Sequence, residues 1–140
     1  MNREIKFRGI RATDNKWLYG SLVTGLFHNV NTKEEVCNIM DSDDCRFDCF
    51  QDFDNMDTDV ISSTVGQFTG LKDKNGVDIY EGDIIKSNSF SPTKTCLVIF
   101  KDGGFVKFNE CLYSTSTHGL DFHKDNEVIG NIYQNPDLLC

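Results

Sequence analysis

The chain has 140 residues, 39% of them apolar, and a net charge of −8. That length supports about one domain, with a core that needs no metal or disulfide staple. No run reaches the roughly 18 apolar residues of a membrane span, and the opening Met1-Asn2-Arg3-Glu4-Ile5-Lys6-Phe7-Arg8 lacks the apolar stretch of an export signal, so a cytoplasmic protein away from membranes is expected.

Two further totals shape the reading. Six cysteines at 37, 45, 49, 96, 111 and 140 invite a disulfide framework. Without an export signal they are expected to be thiols in a reducing compartment. The charge is not spread evenly. Residues 41–59 hold eight Asp against one Arg, which accounts for −7 of the total −8. A block of like charge repels itself and resists burial, so this stretch reads as a solvated acidic insertion. It also disfavours direct binding of nucleic acid, whose phosphates need Lys and Arg.

In chain order, residues 3–8 alternate Ile5 and Phe7 with charged neighbours, the period of a half-buried strand. Thr13-Asp14-Asn15-Lys16 is a polar turn, and Trp17 to Leu26 reads as a second strand completing an N-terminal hairpin. Gly20 and Gly25 suggest bulges or close backbone approach. Residues 26–62 form a variable acidic insertion. Thr32 and Glu35 fit a capping box, with Val36, Ile39 and Met40 at helical spacing, so a short helix over 33–40 is one reading. A strand over Val36 to Met40 is the other, and period alone does not separate them. Phe47, Phe50 and Phe53 recur every third residue through the acidic stretch and would anchor it to the core.

From residue 65 the signals sharpen. Val65-Gly66-Gln67-Phe68 is a short strand. Lys72-Asp73-Lys74-Asn75-Gly76 is a hairpin loop whose Asn75-Gly76 tolerates positive φ, and Val77, Ile79 and Tyr80 return the chain. Glu81-Gly82-Asp83 turns again into Ile84-Ile85-Lys86. Cys96-Leu97-Val98-Ile99-Phe100 is a continuous apolar run, as expected for a strand covered on both faces. Lys101-Asp102-Gly103-Gly104 folds it back into Phe105-Val106-Lys107-Phe108. Glu127 to Tyr133 is a last strand, stopped by Asn135-Pro136. The expected fold class is therefore mainly β with at most one short helix. Residues 65–139 have the proportions of a small SH3-like barrel, whose closure would remove exposed edges.

Three blocks carry a family resemblance. The first is Arg3-Glu4-Ile5-Lys6-Phe7-Arg8 with Trp17 and Tyr19-Gly20. The second and most specific runs from Val65 through Gly76 to Ile79-Tyr80-Glu81-Gly82-Asp83-Ile84-Ile85. The third is Glu127-Val128-Ile129-Gly130-Asn131-Ile132-Tyr133-Gln134-Asn135-Pro136-Asp137-Leu138-Leu139. On these the chain resembles the YopX family of small phage and prophage proteins over residues 1–140, with the acidic insertion as its own elaboration. The resemblance implies a β-rich fold and a gene carried by a phage or integrated element. It implies no catalytic residues.

Reactive constellations are sparse. Asp52, Asp54 and Asp57 roughly suggest calcium spacing, but the central Gly and closing Glu of a calcium loop are missing. Cys45 and Cys49 with Cys37 would need a second pair from Cys96, Cys111, His118 or His123, and no zinc rhythm links them. His118 and His123 flank Asp121 without a nucleophile elbow. Glu81 and Asp83 are read as turn-builders rather than an acid–base pair. No cofactor, metal or catalytic residue is assigned. The leading expectation is a non-enzymatic protein-binding module that contacts a host or phage protein. Its candidate surface is Asp41, Asp43, Asp44, Asp48, Phe50, Asp52, Phe53, Asp54 and Asp57. The alternative is a nucleic-acid-associated SH3-like module, or an acidic nucleic-acid mimic acting on a host defence or DNA-processing protein. An enzyme built on His118, His123 and Glu81 ranks last, and homo-oligomerisation is left open.

Overall fold

The computed structural model describes residues 4–24, 37–40, 58–87, 94–109, 118–119 and 125–139. Within them the chain is mainly β, with antiparallel strands and two short 3₁₀ segments. It divides into two units, Ile5–Gln67 and, onward, Phe68–Cys140.

The first unit starts with the expected hairpin, shifted along the chain. β1 is Phe7–Ile10 and β2 is Trp17–Thr24. They pair with Phe7 opposite Gly20 and Ile10 opposite Trp17. The strand expected over 3–8 thus starts and ends later, and Ile5 is 65% exposed. The tight connection sets this register. The Arg11 N–H donates to the Lys16 carbonyl at 2.8 Å, and the Lys16 N–H to Asp14 Oδ1 at 3.1 Å. Asn15 takes a positive φ of 58° between them.

β3 is Cys37–Met40, and β4 is Asp59–Val60. The helix reading of 33–40 is overturned for residues 37–40, and the strand reading holds there. Helical spacing of Val36, Ile39 and Met40 yields to pairing on both sides. β3 takes β2 on one edge, with Leu22 opposite Ile39, and β4 on the other, with Cys37 opposite Val60. Ile39 is buried to 1% exposure. The sheet curls so that β4 also bridges back to Arg11, just past β1. Two backbone bonds hold that closure, Ala12 N–H to the Asp59 carbonyl at 3.0 Å and Ile61 N–H to the Ile10 carbonyl at 2.9 Å. Thr64, buried in the 3₁₀ turn Ser62–Thr64, accepts from the Ile10 N–H at 2.9 Å and donates to the Ile61 carbonyl at 2.6 Å. Ile10, Ile39, Met40 and Val60 are its buried apolar residues.

β5 is Gly66–Lys72, starting one residue later and running four residues further than the strand expected over Val65 to Phe68. Its first two residues pair with β1. Its remainder belongs to the second unit and pairs with β6, Asp78–Tyr80, with Phe68 opposite Tyr80 and Lys72 opposite Asp78. The ladder is irregular between those pairs, and Thr69 fills the gap. Its hydroxyl donates to the Ile79 carbonyl at 2.8 Å and accepts from the Leu71 N–H at 3.2 Å.

The second unit then adds β7 (Asp83–Ser87), β8 (Lys94–Lys101), β9 (Gly104–Phe108), β10 (His118–Gly119) and β11 (Asn126–Asn131). These five form an antiparallel sheet in the order β10-β9-β8-β7-β11, and a 3₁₀ segment, Pro136–Leu139, follows. The buried face carries Ile85, Cys96 and Val98, which cluster with Ile79 and are flanked by Leu71, Phe105 and Val128. The apolar run in β8 is not covered equally on both faces. Cys96 and Val98 are buried, whereas Leu97 and Ile99 are half-buried and Phe100 is exposed.

The expected closed SH3-like barrel is not formed. The physical reason lies on β11, whose outer edge is already engaged. The Val128 N–H donates to Asp73 Oδ2 at 3.0 Å, and the Asn126 carbonyl accepts from the Lys74 N–H at 3.0 Å. A loop has taken the place that a closing strand would need.

Candidate functional site

The residues proposed from sequence to contact a partner, Asp41, Asp43, Asp44, Asp48, Phe50, Asp52, Phe53, Asp54 and Asp57, lie outside the described residues, as do the calcium-like set within them and Cys45 and Cys49. Their two flanks are described, and the flanks show how the insertion is mounted. Met40 ends β3, and β4 opens at Asp59 directly beside it. Asn38 lies opposite Asp59 in the ladder. The Ile39 N–H donates to the Thr58 carbonyl at 3.1 Å, and the Thr58 hydroxyl donates to Asn38 Oδ1 at 3.0 Å. The acidic stretch is therefore an excursion that leaves and re-enters one clamped point of the sheet. Asn38 is 5% exposed, so this clamp belongs to the interior of the unit.

In the second unit the most specific sequence block does structural work. Asp73 is the hub. Its Oδ1 accepts from the N–H groups of Asn75 at 2.8 Å and Val77 at 2.9 Å, and its Oδ2 takes Val128 across the unit. Burial pushes this carboxyl up, but the three backbone donors, with Lys74 nearby, outweigh that and leave it below its ordinary value. Lys74 also reaches Glu127 on β11 at 2.6 Å. Sequence reasoning read 72–76 only as a hairpin loop and missed this docking. The local half was visible, since an Asp two residues ahead of Asn-Gly commonly folds onto the backbone of its own turn. The Val128 contact is separated by 55 residues and left no local signal.

Asp83 behaves as the sequence implied. It is 1% exposed, and its Oδ2 accepts from the Tyr80 N–H at 2.8 Å. That contact closes the Tyr80–Asp83 turn, so the carboxylate is committed to backbone. Gly82 in the same turn donates its N–H to the Val98 carbonyl and accepts from the Ile132 N–H, both at 2.9 Å.

The remaining chemistry-bearing residues fall only partly among the described ones. His118 stands in β10 opposite Lys107, while His123, Asp121 and Cys111 lie outside the described residues. Cys37 is half-buried and Cys96 buried, and neither is in a disulfide. Among the described residues no group of three or more His, Cys, Asp or Glu could hold a metal ion. No helix among them is long and apolar enough to cross a membrane.

The geometry can be set beside known proteins. The crystal structure of protein EF1440 from Enterococcus faecalis is similar over 99% of this chain and 100% of that one, at a TM-score of 0.52 and 25% identity. No curated protein matches the sequence. The model of the YopX protein family matches residues 6–140, which include the hub at Asp73, the Gly82 turn and the edge strand β11. The chain belongs to the YopX family.

Proposed function

We propose that this protein is a phage- or prophage-borne accessory protein that works in the bacterial cytoplasm by binding another protein, without catalysis of its own. One observation carries the proposal. The chain concentrates −7 of its −8 charges in residues 41–59, and the β3–β4 clamp holds the strands on either side of that stretch together. A charged excursion on a rigid mount steers a partner of opposite sign and raises its association rate at low salt. The partner is therefore a host or phage protein with a Lys/Arg-rich surface. Phe50 and Phe53 would supply the apolar contact that charge alone lacks.

The test is comparative capture from prophage-bearing cells with the wild-type chain and with Asp41, Asp43, Asp44 and Asp48 replaced by Asn. The wild type is expected to retain a basic protein whose release tracks salt concentration, and the variant to fold normally and lose it. Equal capture by the two chains would overturn the proposal. The same charge concentration supports a second reading, an acidic mimic of nucleic acid. In that case short duplex DNA competes the captured partner off, which a purely protein-directed surface would not allow.

A further inference from the structure

Asn75-Gly76 is the only Asn-Gly pair in the chain. Such a pair is chemically labile. The main-chain nitrogen that follows an asparagine can attack its side-chain carbonyl carbon, and glycine places no Cβ in the way. Here the pair sits in the β5–β6 connection, where Lys74, Asn75, Gly76 and Val77 are all exposed. A Cβ built on Gly76 would meet nothing within 4 Å. The bond therefore stands in open space, and no packing blocks the reaction.

Hydrogen bonding restrains it instead. The Gly76 N–H donates to the Asp73 carbonyl at 3.0 Å, so the nitrogen that would attack is committed as a donor. The N–H groups of Asn75 and Val77 are both held by Asp73 Oδ1, and the Asp73 N–H donates to the Val77 carbonyl at 2.8 Å. The loop is docked in turn on β11, through Asp73 Oδ2 to the Val128 N–H and through Lys74 to Glu127. The main chain on both sides of Asn75 is thus fixed, and the Gly76 nitrogen reaches the side chain only when these bonds open.

We propose that Asn75 is a site of spontaneous deamidation whose rate is set by the Asp73 hub. The Gly76 nitrogen bonds to Asn75 Cγ, the Cγ–Nδ2 bond breaks, and the amide proton leaves with the ammonia released. The product is a cyclic succinimide. Water then opens the ring at either carbonyl to give aspartate or isoaspartate, with no change of oxidation state. Isoaspartate lengthens the main chain between residues 75 and 76 by a carbon, which moves the Gly76 and Val77 N–H groups out of register with Asp73. The reaction draws on the fraction of molecules whose loop is open, so the hub delays a modification that in turn dismantles it. The site is separate from the acidic excursion and does not depend on the function proposed for it.

The experiment is prolonged incubation of the full chain at mildly alkaline pH, folded in buffer and unfolded in guanidinium chloride, followed by peptide mass spectrometry. In the unfolded chain Asn75 is expected to convert ahead of the other asparagines, as two products of equal mass, aspartate and isoaspartate. In the folded chain the same conversion is expected to be slower by about tenfold or more, because several hydrogen bonds must open together. The Asp73→Ala variant removes both carboxylate acceptors and is expected to bring the folded rate most of the way to the unfolded one. Should Asp73→Ala not fold, the comparison of folded and unfolded wild type decides alone. Conversion of Asn75 no faster than that of other asparagines in the unfolded chain overturns the site. Equal rates in folded and unfolded wild type, or a folded Asp73→Ala chain no faster than wild type, overturns the control by Asp73.

Discussion

Asp73 shows how much of this fold rests on one carboxylate. Each of its oxygens holds a backbone N–H, and the three donors come from its own turn and from β11. Asn at this position keeps one acceptor but turns an amide NH₂ toward an N–H donor. Asp73→Asn is expected to lower stability by about 2–4 kcal/mol, since hydrogen bonds to charged groups are the stronger kind and the orphaned donors are part-buried. The pH dependence has a definite sign. The folded carboxyl titrates below its ordinary value, so its contribution is complete above the unfolded pKa near 4 and is lost as pH falls through the lower folded value. Urea unfolding of both chains from pH 7 to pH 3 should show a constant gap down to about pH 5 that narrows below it. A gap independent of pH would mean that the Asp73 charge contributes nothing.

At the scale of elements, the strands that local chemistry punctuates were legible and those that only tertiary pairing defines were not. β7 and β9 follow turns written in the sequence, including Asp102 and Gly103 with φ of 53° and 83°. β3 was ambiguous because four residues satisfy either period, and its two neighbours along the sheet decided it. Barrel closure was misread because the sequence does not reveal that a side chain and one loop N–H already occupy the edge of β11. The clamp at Asn38 and Thr58 was equally hidden, since nothing local links residues 20 apart. The Gly82 turn offers an element-level test with a built-in control. Gly82 and Gly76 have nearly equal φ, 85° and 83°, but a Cβ at Gly82 would stand 3.1 Å from Tyr133 Cε2, and one at Gly76 would meet nothing within 4 Å. Gly76→Ala is expected to cost about 1–2 kcal/mol from backbone strain alone. Gly82→Ala should cost about 1 kcal/mol or more beyond that, from crowding against the ring. Adding Tyr133→Ala should shrink the excess in a double-mutant cycle. Equal costs at the two glycines would remove Tyr133 from the account.

For the whole molecule, the decisive question is whether residues 42–57 serve the fold or only the surface. Their mount is complete without them: the β3–β4 ladder, the Thr58 clamp and the bridge from Val60 to Arg11 all lie outside the stretch. Replacing residues 42–57 by a short Asn-Gly turn spans a gap whose flanks are already tied by the Ile39 N–H bond to the Thr58 carbonyl. Shortening the connection about fourfold lowers the closure entropy cost by roughly 1 kcal/mol, and removing a block of like charge relieves self-repulsion. The excised chain is therefore expected to unfold cooperatively with stability equal to the wild type or up to about 1 kcal/mol above it. Its dependence on salt should also change. Added salt screens repulsion among exposed charges, so the wild type should gain stability between low and physiological ionic strength, and the excised chain should gain less. Chemical unfolding of both chains at two salt concentrations reads all of this. A loss of more than about 2 kcal/mol on excision would mean that Phe47, Phe50 and Phe53 are spent on the core. Those rings would then be withdrawn from any partner, and the binding surface would reduce to its carboxylates.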